Sequence, residues 1–446
     1  MRDIILFLIV IGTIPLMFKR PFVGVIMWCW ISYMAPHRLT WGFMFDFPVA
    51  MMVAVFALTA YMLSKEPKSI PMEQPVIWLI LLYIMMILSW LLHDKTPFVN
   101  SLAMKVMKVQ LFTLVILAML TTRKRIEIAL WVVALSIGYY GIKGGVFTLL
   151  TGGEYRVWGP EGGFFEENNA MAITNLMVIP VFIYLSTTLK RKSLRYLTLL
   201  GAGLMVVAVF GSHSRGAFLA VTTCAFFLWT KSNRKALSFI LMLAMLPAIY
   251  NFMPENWHQR MATIFVDEQQ GEERDASANS RLNAWQAGIN MSFSHPFSRG
   301  FNAETPSNFK IYAPNPNDFV AFHSNYIQVL GKHGWLALIC YLMVFFTTWR
   351  MCSRITAKTR HIESLQWAGL MCRYLQVSIV AYMVGGGFLS LAYFDLPYHL
   401  VVTVVAVNSI VQRELGKKEA NRTASSSLTC AVMRDGKRLM VNYGND

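Results

Sequence analysis

The sequence predicts an all-α, polytopic membrane protein of about 12 transmembrane helices, with one large polar loop outside the membrane. Its composition carries this prediction, because 55% of the residues are hydrophobic and only 14% are charged. Soluble domains carry about 25% charged residues, whereas a charge inside a bilayer is costly. The mean hydropathy is +0.45. One span needs about 20 apolar residues, so 446 residues accommodate about a dozen spans.

Apolar runs divide the chain into four parts. Residues 1–252 are predicted to form the N-terminal transmembrane helices, and residues 253–322 the large loop. Residues 323–412 are predicted to form the C-terminal helices, and residues 413–446 a disordered cytoplasmic tail, since they are polar and Ser-rich. If residues 4–35 form one broken span, there are about twelve crossings with both ends inside. If they cross twice, there are about thirteen.

The positions of Lys and Arg predict which loops face the cytoplasm. Basic residues crowd cytoplasmic loops, and here they cluster in every second loop. The clusters occupy residues 123–125, 190–195, 231–235, 350–360 and 413–422. The segments predicted to lie outside are 144–169, 211–215, 253–322 and 394–398. The same bias accounts for the net charge of +16, and no basic motif with interleaved aromatics indicates nucleic-acid binding.

The six cysteines lie mostly in apolar runs and show no paired metal-ligand spacing. We therefore expect small core residues, with neither a disulfide framework nor a zinc site. The first apolar run lacks the small-residue cleavage site of a secretory signal, so we expect it to be retained.

Four residues are predicted to gather on the outer face. Arg215 lies at the outer end of a helix, Arg281 and Arg156 lie in outer loops, and His323 stands where the large loop ends. Arg binds phosphate oxygens with two parallel hydrogen bonds, and His takes a proton near neutral pH. Several Arg at a membrane boundary can therefore hold a lipid diphosphate. A lone Arg at a helix end is also a common interface anchor. The large loop further brings Arg260 and Arg299 to this surface.

Carboxylates on the same face leave a metal-dependent alternative open. Sites for Mg²⁺ or Mn²⁺ need two or more convergent carboxylates. The candidates are Glu161, Glu166 and Glu167 in one outer loop and Asp267, Glu268, Glu272, Glu273 and Asp275 in the large loop. The second group lies in a Gln-, Gly- and Ser-rich stretch that is typical of a flexible loop. We therefore expect no metal and no cofactor.

The motifs around these residues resemble the O-antigen ligase family, within the superfamily that also contains O-antigen polymerases. Residues 214–219 fit the family's Arg-x-x-x-Leu pattern at the outer end of a helix, and residues 280–282 resemble its large-loop signature. His323, followed by Ser324 and then by Gly334, fits the ligase pattern of a His, a small polar residue and a spaced Gly.

Two features qualify this resemblance. Ala337 stands where the ligase pattern usually has Gly, Thr or Tyr, which weakens the distinction between ligase and polymerase. The N-terminal portion, including residues 34–38 and 156–160, is similar to a subgroup of exosortase-associated O-glycosylation ligases.

The resemblance implies a membrane glycosyltransferase with a GT-C-like fold in the bacterial inner membrane. Such an enzyme takes a glycan from undecaprenyl diphosphate to a sugar of the lipid A core, on the periplasmic side. By this resemblance Arg215 and Arg281, with Arg156, hold the diphosphate, and His323 is the general base of a metal-independent, inverting transfer. The expected partners are the lipid-linked donor, the lipid A-core acceptor and membrane lipid, and nucleic acid is not among them.

Three alternatives remain open at this stage. An O-antigen polymerase or a protein O-oligosaccharyltransferase would use the same kind of donor with another acceptor. A transporter of lipid-linked glycans would place ionisable residues near mid-membrane. Arg373 is the conspicuous charge inside an apolar run, whereas the Arg and His set lies at the outer boundary. This distribution favours an enzyme over a transporter.

Overall fold

The described part of the protein, residues 1–232, 234–262 and 276–434 of a computed structural model, is helical and contains no strand. The helices are α1 (Arg2–Lys19), α2 (Phe22–Met34), α3 (Val49–Leu63), α4 (Gln74–Leu91), α5 (Pro97–Met119), α6 (Arg123–Leu150), α7 (Asn168–Thr188), α8 (Lys192–Phe210), α9 (Arg215–Lys231), α10 (Lys235–Phe252), α11 (Glu255–Ala262), α12 (Ala276–Ser294), α13 (Pro306–Tyr312), α14 (Asn325–Thr359), α15 (Gln366–Gly385) and α16 (Asp395–Arg434). The predicted all-α class is confirmed.

Eight helical segments of the described chain are long and apolar enough to cross a membrane, fewer than the number expected. They are α4, α5, α6, α7, α8, α10, α14 and the segment Glu363–Phe388, which includes α15. α2 has 13 residues and α3 has 15, which correspond to about 20–22 Å at 1.5 Å per residue. Both are shorter than the roughly 30 Å hydrocarbon core. The chain turns between α1 and α2, so residues 4–35 form two separate helices.

Helix α7 is the centre of the bundle. It packs against α6, α8, α9 and α15, and 89% of its apolar window is buried inside the protein. A helix that is apolar on all sides must be surrounded by lipid or by other helices, and here other helices surround α7. Because α7 is central, its first residues, Asn168 and Asn169, lie in the middle of one end of the bundle.

Small residues allow the helices around α7 to approach closely. A Cβ atom at Gly145 of α6 would lie 2.0 Å from the carbonyl oxygen of Leu204 in α8. Contacts through small residues replace the hydrophobic driving force that helices lack inside lipid. Close packing of α6 and α8 thereby fixes the loops that follow their ends.

The described parts of segment 253–322 are folded helices. In α11, Trp257 and Met261 are buried in a small cluster with Phe210 and Met253. A second apolar core lies beneath α12 and α13 and is formed by Ala284, Ala287, Met291, Ala303, Phe309 and Phe322. This segment is therefore a structured cap at one end of the bundle.

The C-terminal segment differs from the expectation in its secondary structure. α16 continues without interruption to Arg434, past the predicted end of the last span at residue 412. The disorder predicted from residue 413 onward is therefore wrong for the residues up to 434. The first part of α16 is apolar and buried, and the helix simply continues into polar sequence.

The described cysteines are buried, as predicted. Cys29, Cys224, Cys340, Cys352 and Cys372 are buried and not paired in disulfides. They fill space between helices as small apolar side chains.

Gly334 divides α14 and makes a testable contribution to stability. Its φ is +84°, and a Cβ at this position would lie 2.1 Å from the carbonyl oxygen of Pro296. The interrupted helix frees the carbonyl of Gly331, which accepts a hydrogen bond of 2.5 Å from Ser298 Oγ. We expect Gly334→Ala to destabilise the protein by at least the 1–3 kcal/mol typical of such a backbone conformation.

The measurement is thermal unfolding in detergent, and the readout is the fraction of protein that remains monodisperse at each temperature. The matched control is Gly203→Ala in α8, where no atom lies within 4 Å of the added Cβ. Ala is the better helix former there, so this control is expected to be neutral or stabilising by up to about 1 kcal/mol. A Gly334→Ala variant as stable as the native protein would contradict the prediction.

Candidate active site

The segments predicted to lie outside meet at one end of the bundle. Val157 N–H donates to the carbonyl of Gly211 at 3.0 Å, and Asn168 Nδ2 donates to the carbonyl of Ser212 at 2.7 Å. His213 Nε2 lies 2.7 Å from the carbonyl oxygen of Gly153. These bonds join the loop after α6, the start of α7 and the loop after α8 into one surface.

Arg215 is the first residue of α9 at this surface. Ser214 caps the helix by accepting a hydrogen bond from Ala217 N–H at 3.2 Å. A positive charge at a helix N-terminus opposes the helix dipole, so Arg215 is poorly placed for stability alone. The guanidinium and the N–H groups at the start of the helix both favour an anion.

Arg281 and Arg260 line the same narrow cleft as Arg215, and we call this feature the arginine cleft. Arg260 Nε donates to the carbonyl of His213 at 2.8 Å, which holds the end of α11 against the start of α9. Asn169 and the chain around Leu389 complete the lining. The cleft has a volume of about 10 Å³, which is enough for about one water molecule. A larger anion therefore requires these side chains to move apart.

His323 lines an adjacent cavity of about 220 Å³, which we call the histidine cavity. Glu166, Glu167 and Phe164 from the loop before α7 form its other side, and Ser390 lies on its wall. Leu389 lines both the histidine cavity and the arginine cleft. The structure thus places His323, the predicted base, in a cavity next to Arg215 and Arg281, the predicted phosphate-binding residues in the cleft.

The backbone at His323 is in an unusual conformation. Its φ is +45°, in the left-handed region that residues with a Cβ rarely adopt. His213, beside the arginine cleft, has a φ of +55°. Such conformations cost about 1–3 kcal/mol each and persist where the surroundings fix them, often at functional sites.

The environment of His323 favours its neutral form. Burial lowers its pKa, and the nearby Arg281 guanidinium lowers it further, whereas Glu167 and Glu304 act in the opposite direction. The net shift is downward from the ordinary value of 6.5. The imidazole is therefore uncharged at neutral pH and has a nitrogen available to accept a proton.

Arg156 and Arg299 occupy positions outside the two clefts. Arg156 is exposed and lies close enough to His213 to affect its pKa. Burial lowers the pKa of His213, and the hydrogen bond with Gly153 opposes this effect. The charges of Arg156 and Arg260 lower the pKa further. Arg299 bonds the hydroxyl of Tyr312 and lies over its ring. The structure therefore places Arg156 near His213 but not in the lining of the arginine cleft, and Arg299 in a local aromatic contact.

Three helix N-termini point towards this region. α7 contributes Asn169 to the arginine cleft and Ala170 to the histidine cavity, α9 begins at Arg215, and α14 begins directly after His323 and Ser324. Each N-terminus carries a partial positive charge equivalent to about half an elementary charge. Together with three guanidinium groups, this arrangement favours a multiply charged anion such as a diphosphate.

The metal alternative gains no support from the carboxylates that are described. Within residues 1–232, 234–262 and 276–434, no group of three or more His, Cys, Asp or Glu side chains is arranged to hold a metal ion. Glu166 Oε2 accepts a hydrogen bond from Gly162 N–H at 2.8 Å, which occupies it within its own loop. Asp267, Glu268, Glu272, Glu273 and Asp275 lie outside the described residues.

Comparison with known families adds an identification to this geometry. Residues 200–342 match the family model described as O-Antigen ligase. Residues 200–342 belong to the O-antigen ligase family. Residues 1–190 match a family of unknown function, DUF5935. The comparison with curated proteins finds no match, and the similarity to exosortase-associated ligases stays a prediction.

The O-antigen ligase match contains most of the site. Arg215, Arg260, Arg281 and His323 all fall within residues 200–342, and the family is one of membrane enzymes of the ligase and polymerase type. Arg156, Glu166 and Glu167 fall within the DUF5935 match. The two matched segments therefore build one site between them.

Sequence reasoning assigned no role to Arg260, Glu304 or Lys332. Trp257 and Met261 are buried four residues apart, and this helical spacing is the signal that could have placed Arg260 beside them on a packed helix. Glu304 and Lys332 are distant in the sequence and form a buried ion pair. No local pattern indicates that contact.

Proposed function

We propose that this O-antigen ligase family protein transfers a glycan from undecaprenyl diphosphate to a hydroxyl group of the lipid A-core oligosaccharide. The observation that carries the proposal is the junction of the arginine cleft and the histidine cavity at Leu389. The charge of the cleft suits a diphosphate once the cleft has opened, and the cavity suits a neutral sugar beside its base. In this proposal the bond to be broken lies at the wall that the two share.

In the proposed donor site, Arg215 and Arg281 bind the diphosphate, and Arg260 is a third guanidinium in the same cleft. Arg156, near His213, contributes positive charge to the approach. The diphosphate is a good leaving group whose charge increases as the glycosidic bond breaks. Guanidinium and helix N–H groups around the diphosphate stabilise that charge in the transition state. Opening of the narrow cleft admits the donor, whose lipid tail stays in the membrane.

In the proposed acceptor site, a sugar hydroxyl lies in the histidine cavity. The hydroxyl oxygen attacks the anomeric carbon while the bond from that carbon to the diphosphate oxygen breaks, and the leaving diphosphate keeps the electron pair. His323 takes the hydroxyl proton as general base. Attack opposite to the leaving group inverts the anomeric configuration, without a covalent enzyme intermediate.

The proposed orientation places both compartments on the periplasmic side of the inner membrane. Its support is the alternation of basic clusters along the chain, because Lys and Arg crowd cytoplasmic loops. The site segments all belong to the alternate set of loops. A lipid-linked glycan and a lipid A-core acceptor both expose their sugars on that side.

The test supplies purified protein with a lipid-diphosphate glycan and one acceptor at a time: lipid A-core, the donor alone, or an exported protein. We expect mass to be gained by lipid A-core, and the same rate in the presence of EDTA. Gain of mass by a second donor molecule would identify a polymerase, and gain by the protein would identify a protein glycosylation enzyme. Activity lost in EDTA and restored by Mg²⁺ or Mn²⁺ would contradict the metal-independent mechanism.

A further inference from the structure

Phe322, the residue before His323, is held by hydrogen bonds to both of its backbone groups. Phe322 N–H donates to Glu304 Oε1 at 3.0 Å, and the carbonyl of Phe322 accepts a hydrogen bond from Trp285 Nε1 at 2.7 Å. Both groups of this residue are therefore bound by side chains and take no part in a helix. Immediately afterwards, His323 adopts its left-handed conformation.

Glu304 is itself fixed by a buried cation. Its Oε2 lies 2.5 Å from Lys332 Nζ, and the two side chains are 18% and 4% exposed. Burial alone raises the pKa of Glu304, but the Lys332 ammonium, the Phe322 N–H and His323 outweigh it, so the pKa lies below the ordinary value. The carboxylate is ionised at neutral pH, and hydrogen bonds to an ionised acceptor are roughly twice as strong as neutral ones.

The ring of Phe322 prevents the peptide from sliding. Phe322 is fully buried, and a Cβ at Gly331 of α14 would lie 2.8 Å from its Cζ atom. A Cβ at Gly288 of α12 would lie 3.2 Å from its Cε1 atom. The ring therefore lies in a slot between α12 and α14. Only the backbone dihedral angles of Phe322 then remain to be fixed.

We infer that Glu304 is a positioning residue, which holds the imidazole of His323 in the histidine cavity through the Phe322 peptide and the Lys332 ion pair. Trp285 holds the peptide unit between Phe322 and His323, and Glu304 holds the unit before Phe322. Together they fix the backbone of Phe322, from which the side chain of His323 is oriented. The kinetic consequence depends on the proposed function, because it requires His323 to act as base. The position of the imidazole does not depend on the proposed function.

The experiment compares two double variants that differ in one respect. Both remove Lys332, so that no unpaired ammonium is left buried, which would be strongly destabilising. Glu304→Gln with Lys332→Met keeps an oxygen that accepts from Phe322 N–H, whereas Glu304→Ala with Lys332→Met does not. We expect the alanine pair to lose about 10²-fold in kcat, the effect of a displacement of about 1 Å, with KM for the donor unchanged. The glutamine pair is expected to retain most of its kcat.

A second readout follows His323 without any glycosyl transfer. Diethyl pyrocarbonate modifies neutral imidazole, and peptide mass spectrometry measures its reaction at His323 in the full-length protein as a function of pH. The charged groups that act on His323 are Arg281 of α12, Glu167 before α7 and Glu304. The Glu304 carboxylate raises the pKa of His323. Its loss is therefore expected to shift the midpoint of the pH dependence of modification to lower pH in both double variants. The rate above the midpoint is expected to change only in the alanine pair.

A distant ion pair supplies the control. Glu66 and Arg125 lie 2.6 Å apart near the start of α6, whose 28 residues extend about 42 Å towards the site end. Glu66→Ala with Arg125→Met is expected to leave both readouts at the native values. Equal kcat and equal modification rates in the two Glu304 pairs would overturn the inference. If the native protein transfers no glycan, the proposed function fails, while the modification rates still test the position of His323.

Discussion

Replacement of His323 by alanine is expected to lower glycosyl transfer by about 10²–10⁴-fold, the usual contribution of a positioned general base. The imidazole lines a cavity next to the arginine cleft, and its lowered pKa keeps it neutral at pH 7. Without it, the acceptor hydroxyl must lose its proton to water. The donor still binds, so the loss is expected in kcat and not in KM for the lipid diphosphate.

The measurement is the rate of glycan transfer at saturating donor, normalised to folded protein in the membrane. His361→Ala is the matched control, because His361 is exposed and follows α14, whose 35 residues separate it from His323. This control is expected to have native activity. Normal transfer by the His323→Ala variant, at the same amount of folded protein, would remove the assignment of the base.

The pH dependence of the native enzyme follows from the same group. Because burial and Arg281 lower the pKa of His323, the neutral form persists below the ordinary value of 6.5. The rate is expected to stay constant as the pH falls towards that value, and to decline only at lower pH, as the imidazole is protonated. A rate that already declines above pH 6.5 would show that another group controls the reaction.

The sequence was sufficient to find the residues whose chemistry is local. Arg215 and His323 stand at boundaries between apolar runs and polar segments, where a membrane protein exposes charge to water. Arg281 lies in the large polar segment that the sequence predicts on the same side of the membrane. The structure brings Arg215 and Arg281 into one cleft and His323 into the adjoining cavity, while their roles stay predictions.

Long-range contacts account for what could not be predicted. Glu304 and Lys332 meet because the cap folds back onto α14, and the sequence spacing of the two residues carries no sign of this. The sequence assigned Arg156 to the outer face, but it could not show that Arg156 lies near His213 and outside the lining of the cleft, because the path of the loop decides that distance. The number of spans stays a prediction, because an apolar run does not show by itself that it crosses the membrane: α2 and α3 are apolar but have only 13 and 15 residues.

Arg215 and Arg281, two of the three arginines in the cleft, are expected to differ in a way that tests the whole arrangement. Arg215→Ala and Arg281→Ala should each lower transfer by about 10²–10³-fold, the effect of removing one preorganised donor to developing charge. Arg→Lys should restore little, because an ammonium lacks the planar fork that binds two phosphate oxygens. Full rescue by Lys would indicate that generic positive charge is sufficient. Arg350→Ala, in the distal part of α14, is the matched control.

Only Arg281 is expected to change the pH profile as well. Its guanidinium lowers the pKa of His323, so its removal raises that pKa and moves the acid decline of the rate to higher pH. Arg215 is not among the groups that act on His323, so Arg215→Ala should lower the rate and leave the position of the decline unchanged. The residual activity of each variant, measured from pH 5 to 8, decides this. Identical profiles for the two variants would mean that the diphosphate site and the base are not coupled through Arg281.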